Sequence, residues 1–129
     1  MIKIAPSILA ADFSKLGDEI KSVNTADYLH FDVMDGVFVP NISFGLPVLR
    51  SVNNVTDMIL DVHLMITSPL RYVAEFAKTG GSIITFHVEA ETPDSIREAI
   101  AEIHKQGKKA GLSIKPGYQE PLFLAWRCP

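Results

Sequence analysis

Polar and apolar side chains alternate residue by residue in three stretches of this chain, and each polar set carries groups able to bind metal or move protons. Along Tyr28-Leu29-His30-Phe31-Asp32-Val33-Met34, residues two apart share a face of a β-strand. His30, Asp32 and Met34 therefore point one way, and Leu29, Phe31 and Val33 the other. Leu60-Asp61-Val62-His63-Leu64-Met65 repeats the pattern with Asp61, His63 and Met65, and Ile84-Thr85-Phe86-His87-Val88-Glu89 repeats it with Thr85, His87 and Glu89. A half-exposed antiparallel sheet would show such alternation with its polar face in water. Coordinating residues recurring at the ends of successive strands point instead to a barrel that carries its site there.

Between these strands the pattern turns helical. Met1 to Pro6 reads as a first strand, after which Asp12 is placed to cap a helix whose stripe is Phe13, Leu16, Ile20 and Val23. The strand over 28–34 follows, and residues 36–45, with Pro40 and two glycines, read as a long loop that either covers a site or is pinned to the core by Phe38 and Phe44. A short helix over 46–53 leads to a strand over 58–65. Ser68-Pro69 then predicts an N-cap and first helical position, with Tyr72, Val73 and Phe76 as the buried stripe. After the strand over 83–88, Thr92-Pro93 gives the same start signal for a helix that buries Ile96, Ile100 and Ile103 and stops at Gly107. Ala110 to Ile114 is the fifth strand. Five strand–helix units of about 25–30 residues predict parallel strands with crossover helices.

Composition narrows the class. With 129 residues and 47% hydrophobic content, the chain is long and apolar enough to form a core as one unit without linkers. A net charge of −3 with scattered basic residues argues against nucleic acid as a partner. No run of about 20 apolar residues is available to span a membrane, and Pro6 and Asp12 interrupt any secretory signal, so the expected location is cytoplasmic. The single cysteine, Cys128, excludes an intrachain disulfide and suits a reducing compartment.

His30, Asp32 and His63, at the ends of neighbouring strands, offer two imidazoles and a carboxylate, a donor set suited to Zn²⁺, Fe²⁺, Co²⁺ or Mn²⁺. A bound cation would polarise a substrate carbonyl while Asp32 removes a proton from the neighbouring carbon. A His-x-Asp pair on one strand, taken alone, reads more readily as a hydrogen-bonded pair with no metal; His63 at the equivalent place on the next strand favours the site. His87 reads better as a buried histidine satisfied by neighbours, His104 as solvated, and Met34 and Met65 as core or as a dry wall beside a carbanion. Glu89 and Glu91 close the fourth strand and are as compatible with solvation as with function. No dinucleotide fingerprint, Walker loop, Cys-x-x-Cys or nucleophile elbow is present.

Six motifs in order closely resemble the ribulose-phosphate 3-epimerase family: Ala5-Pro-Ser-Ile-Leu9, His30-Phe-Asp-Val-Met-Asp-Gly36, Phe38-Val-Pro-Asn41, Asp61-Val-His-Leu-Met65, Thr85-Phe-His87 and Gly111-Leu-Ser-Ile-Lys-Pro-Gly117. The resemblance implies a TIM (β/α)8 barrel that interconverts D-ribulose 5-phosphate and D-xylulose 5-phosphate in the pentose phosphate pathway, by removing the C3 proton and returning one on the opposite face. It implies metal ligation by His30, Asp32 and His63, acid/base catalysis by Asp32, substrate contact by Ser7 and His63, and a reaction centre lined by Met34 and Met65. It also suggests a homo-oligomer.

The resemblance covers about five of eight units. The second catalytic aspartate, which is also the fourth metal ligand, and the phosphate-binding loops belong to the family's later strands. Residues 118–129 depart from the expected fifth helix, with Pro121 early and Pro129 terminal. An incomplete barrel is thus expected, its open edges and apolar helix faces disposing the chain to self-association or marginal folding. The alternatives are an inactive fragment of the family and a related epimerase acting on allulose 6-phosphate. A decarboxylase of the orotidine-phosphate type is disfavoured, because Asp61-Val62-His63 puts histidine where that pattern needs lysine.

Overall fold

Four of the five expected strands pair into one parallel sheet, β1 (Tyr28–Met34), β2 (Ile59–Met65), β3 (Ile83–His87) and β4 (Lys109–Ser113), ordered as they occur in the chain. The structure, a computed structural model, describes residues 1–118. Connections are made by α2 (Leu46–Val55), α3 (Val73–Thr79) and α4 (Pro93–Lys105), with α1 (Leu16–Ser22) preceding the sheet. An order that never reverses is that of a barrel sector; a doubly wound sheet would switch direction partway.

The apolar half of each alternation builds the core. Leu29, Phe31, Leu60, Val62, Leu64, Ile84 and Phe86 are each at most 1% exposed, and they pack with Ile20, Leu49, Val52, Val73, Phe76, Ala99 and Ile103 from the helices. The other sheet face carries the polar set. Parallel register levels it, pairing His30 with Asp61 and Ile83, Asp32 with His63 and Thr85, and Met34 with Met65. Gly111 lies level with Thr85 because nothing larger fits: a Cβ there would come within 2.3 Å of Thr85 Oγ1.

The start signals hold where a side chain reaches the backbone. Asp12 accepts from Ser14 N at 3.0 Å and opens a 3₁₀ turn before α1; Thr92 Oγ1 accepts from Ser95 N at 3.3 Å and caps α4. Gly107, in the left-handed region at φ 70°, ends α4 with its N–H bonded to His104 O at 2.8 Å.

Several expectations are corrected. Met1 to Pro6 does not form a strand: the segment meets β1 through Ile4 O, which accepts from Tyr28 N at 3.2 Å, Pro6 O, which accepts from His30 N at 2.8 Å, and one bridge from Ser7 to His30. Pro6 has no N–H to return a ladder bond, and Met1, Ile2 and Ile4 stay exposed. Ser68 sits in the left-handed region at φ 49° and makes no cap bond, so a 3₁₀ turn over Pro69–Arg71 precedes α3. Tyr72, on that turn's far side, is 38% exposed, outside the buried stripe of Val73 and Phe76. Phe13 is 51% exposed and meets Phe44 edge-on, at 5.5 Å between centroids. The expected departure over 118–129, and Cys128 with it, lies beyond the described residues save for Tyr118.

Candidate metal and acid/base site

Levelling of β1 with β2 brings the candidate residues together on the face away from the helices. Asp32 Oδ1 is 3.1 Å from His30 Nε2 and 3.5 Å from His63 Nδ1. Its other oxygen, Oδ2, accepts a hydrogen bond from Ser7 Oγ, and that hydroxyl in turn caps the Ile8–Ala10 turn by accepting from Leu9 N at 3.2 Å. His30 is gripped from both sides, since its Nδ1 lies 2.9 Å from Asp61 Oδ2. Side-chain exposures of 13% for Asp32, 20% for His63 and 24% for His30 make the cluster screened but reachable.

This geometry fixes charge. Hydrogen bonds to Asp32 and then Asp61 outweigh burial and raise His30 to about 10. Burial alone would raise Asp32, but His30, His63 and Ser7 together hold it well below the usual carboxylate range. Without metal, His30 is therefore an imidazolium between two carboxylates, and a cation would take the place of its Nε2 proton.

One donor atom each from His30, Asp32 and His63 lies within 4.8 Å of the others. Ligands about 2.0–2.2 Å from an ion stand about 3–3.5 Å apart, which matches the 3.1 and 3.5 Å separations from Asp32. The outer nitrogen of His30 already has the carboxylate partner that orients a metal-bound imidazole. The three residues fit a divalent cation.

Met34 and Met65, paired in register, form the next level on the same face, both partly buried. His87 is 7% exposed; its Nε2 lies 2.9 Å from His63 Nε2, while Nδ1 faces Glu89 Oε2 at 3.5 Å without completing a hydrogen bond. Burial, then the neighbouring His63, lowers its pKa. The expected satisfied histidine is therefore satisfied on one side only. His104 is exposed, as expected. β3 ends at His87, so Glu89 and Glu91 do not close the strand; Glu91 follows the 3₁₀ turn Val88–Ala90, and its Oε1 accepts from Leu70 N at 2.9 Å, tying that turn to the one before α3.

The loop over 36–45 divides its two phenylalanines. Phe44 packs on Phe31 in the core, 4.6 Å between centroids, whereas Phe38 lies against His87 at 5.1 Å with Lys115 Nζ 3.6 Å above its ring. Asp35 anchors the loop's root, accepting from Val37 N, Phe38 N and Thr67 N at 2.7–2.9 Å. Burial opposes, but these bonds hold its carboxyl down at about 2. The motif reading gave no separate role to Asp35 or Lys115, and left Asp61 as merely inward-facing. The position of Asp61 two residues before His63, level with His30, is the signal that would have paired them.

The family model described as the ribulose-phosphate 3 epimerase family matches residues 3–124. Ribulose-phosphate 3-epimerase of Mycobacterium tuberculosis strain H37Rv is 53% identical over 114 residues, covering 88% of this chain and 49% of the relative. The Bacillus subtilis enzyme of that name is 52% identical over 118 residues (90% and 54%), and the Synechocystis one 49% over 131 (99% and 56%). The chain thus spans about half the length of these curated relatives. Among solved structures, Yersinia pestis DHPS in complex with a pterine-sulfa conjugate superposes with a TM-score of 0.60 at 15% identity, covering 94% of this chain and 47% of that one. A dihydropteroate synthase from Vibrio fischeri gives 0.55 at 11% (91% and 44%). At those identities the likeness concerns the fold, and it again matches about half of a larger chain. Motifs, sheet order and relatives agree: the chain belongs to the ribulose-phosphate 3-epimerase family and folds as part of its TIM barrel.

Proposed function

We propose that this chain carries an acid/base centre of a ribulose-phosphate 3-epimerase, an isomerase that interconverts D-ribulose 5-phosphate and D-xylulose 5-phosphate through proton removal at C3. The observation that carries the reading is the convergence of His30, Asp32 and His63 on one face, within 4.8 Å, in a chain of that family.

The residues divide the work by atom. Asp32 turns Oδ1 to the two histidines and Oδ2 to Ser7, so Oδ2 keeps a lone pair for the C3 proton. Ser7 fixes the carboxylate plane from the turn it caps and is placed to meet substrate. Asp61 holds the His30 ring through Nδ1. Met34 and Met65 offer a polarisable, water-poor wall on the level above. A divalent cation (Zn²⁺, Fe²⁺, Co²⁺ or Mn²⁺) held by His30 Nε2, Asp32 Oδ1 and His63 Nδ1 would stabilise negative charge on substrate oxygens, offsetting the weak basicity of so acidic a carboxylate. The partner is a sugar phosphate, and the setting is cytoplasmic, with assembly into a homo-oligomer.

NMR of each epimer incubated in D₂O with the chain and added Mn²⁺-free Zn²⁺ or Co²⁺ tests this, with folding checked by circular dichroism. The expected result is deuterium at C3 of at least one epimer, lost in Asp32→Asn. Deuteration without the other epimer would mean that one face works alone. No exchange by a folded, metal-loaded sample would contradict the role of Asp32. Relative rates on D-allulose 6-phosphate decide between the two ketose phosphates.

A further inference from the structure

We infer that Lys115 is a positioning residue for this site: its ammonium latches the arch over residues 37–42, so that Phe38 roofs His87 and keeps water from that flank of the inner face. The inference does not depend on a bound cation. Lys115 Nζ donates to Phe38 O at 2.8 Å and stands 3.6 Å from the centre of the Phe38 ring, so one ammonium holds both the backbone and the side chain of a residue 77 positions away. The same ring meets His87, 5.1 Å between centroids, and His87 is only 7% exposed.

The arch is fixed at its roots and loose at its crown. At one root Asp35 accepts from Val37 N and Phe38 N; at the other, Ser43 Oγ donates to Asp32 O at 2.6 Å and accepts from Met34 N at 3.0 Å. Gly36, at φ 76°, turns the chain between β1 and the arch, and a Cβ there would come within 2.7 Å of Ile42 Cγ1. At the crown the bonds are local, from Asn41 N to Val39 O and from Ile42 N to Asn41 Oδ1, both at 2.9 Å. Val37 and Ile42 are each 76% exposed, so apolar burial of these two side chains adds little. The tie that reaches the arch from a different strand is the one from Lys115.

Lys115 can serve as a latch because its own backbone is held. Its N–H donates to Glu89 Oε1, which joins the segment after β4 to the 3₁₀ turn after β3. Holding a long side chain costs rotamer freedom, and here a hydrogen bond from a charged donor and a ring face under the ammonium offset that cost. The roof matters to the chemistry because charge interactions weaken wherever water enters, and His87 touches His63 at 2.9 Å.

Lys115→Met keeps the length of the side chain and removes the ammonium, and three measurements on the metal-free chain read the result. In the unaltered chain, NMR should place the Lys115 ε-methylene protons upfield of those of the other lysines, shielded by the Phe38 ring. In the variant, amide exchange at Val37 and Phe38 should quicken about tenfold, the loss expected for a hydrogen bond to a charged group, while Phe31 and Val62 in the core keep their rates. Modification of His87 by diethyl pyrocarbonate, measured against exposed His104, should rise in Lys115→Met and in Phe38→Ala alike. Lys115 ε-protons at the ordinary lysine position in the unaltered chain would overturn the inference whether or not a variant folds. So would a Lys115→Met chain whose arch exchange and His87 modification are unchanged, or one in which exchange rises equally in the core. None of these readings uses a metal, so a chain that binds no Zn²⁺ overturns the metal reading and leaves the latch standing.

Discussion

The two faces of the sheet are made from the same strands yet have opposite characters. On the helix side Leu29, Phe31, Val62, Leu64, Ile84 and Phe86 are each at most 1% exposed. On the other side His30, Asp32, Asp61, His63, Met34 and Met65 are all partly open, and their polar atoms bond to one another across strands. Adjacent residues therefore serve different ends: Phe31 holds the sheet to its helices, and His30 and Asp32 on either side are free to carry charge. Hydrophobic burial is confined to one face, so charged groups can be placed on the other without breaking the core.

The sharpest way to break this contrast is to change adjacent residues separately. Asp32→Asn should lower C3 proton exchange by about 10²–10⁴-fold, the usual range for a general base, with the sheet intact by circular dichroism. Phe31→Ala, one residue away and fully buried, should cost about 3–5 kcal/mol in urea unfolding. Equal losses of stability in the two variants would remove the division of labour between faces.

Acidity sharpens the comparison, because the inner face alone titrates. His30 is raised to about 10 in the folded chain, so its stabilising effect is complete below its ordinary pKa of 6.5 and is lost as pH rises toward 10. Asp32 is lowered from 3.8, so its contribution is present above that value and is lost as pH falls below it. The two shifts largely describe one ion pair. Metal-free stability should therefore peak between about pH 4 and 6.5, as read from urea midpoints. Metal binding runs the other way: releasing the Nε2 proton of His30 should make affinity rise about tenfold per pH unit through neutrality. The smallest effect belongs to the outer shell. Thr92→Ala removes the cap of α4 and should cost about 1 kcal/mol, leaving metal affinity unchanged.

Most of the contrast was legible in the sequence, because alternation with period two reports directly which face each side chain takes. The strands around Phe31, Val62 and Ile84 and the trio His30, Asp32 and His63 follow from it, as does the Thr92 cap, which needs only a bond to Ser95 N. What failed depends on neighbours that spacing does not reveal. Met1 to Pro6 has strand-like residues but Pro6 cannot complete a ladder, and Ser68-Pro69 looks like a helix start until the backbone of Ser68 turns left-handed. Asp61 beside His30, and Glu89 between His87 and Lys115, meet partners 31 and 26 residues away on neighbouring units of the sheet, so a single strand's pattern marks them as inward but not as paired.

Isothermal titration of the metal-free chain with Zn²⁺, repeated with His30→Ala and His63→Ala, tests the inner face most directly. The expected result is one ion per chain with release of a proton, lost in both variants while their circular dichroism stays that of the unaltered fold. A folded chain that takes up no ion, or variants that bind as tightly as the unaltered chain, would contradict the assignment of His30, Asp32 and His63 as a metal site.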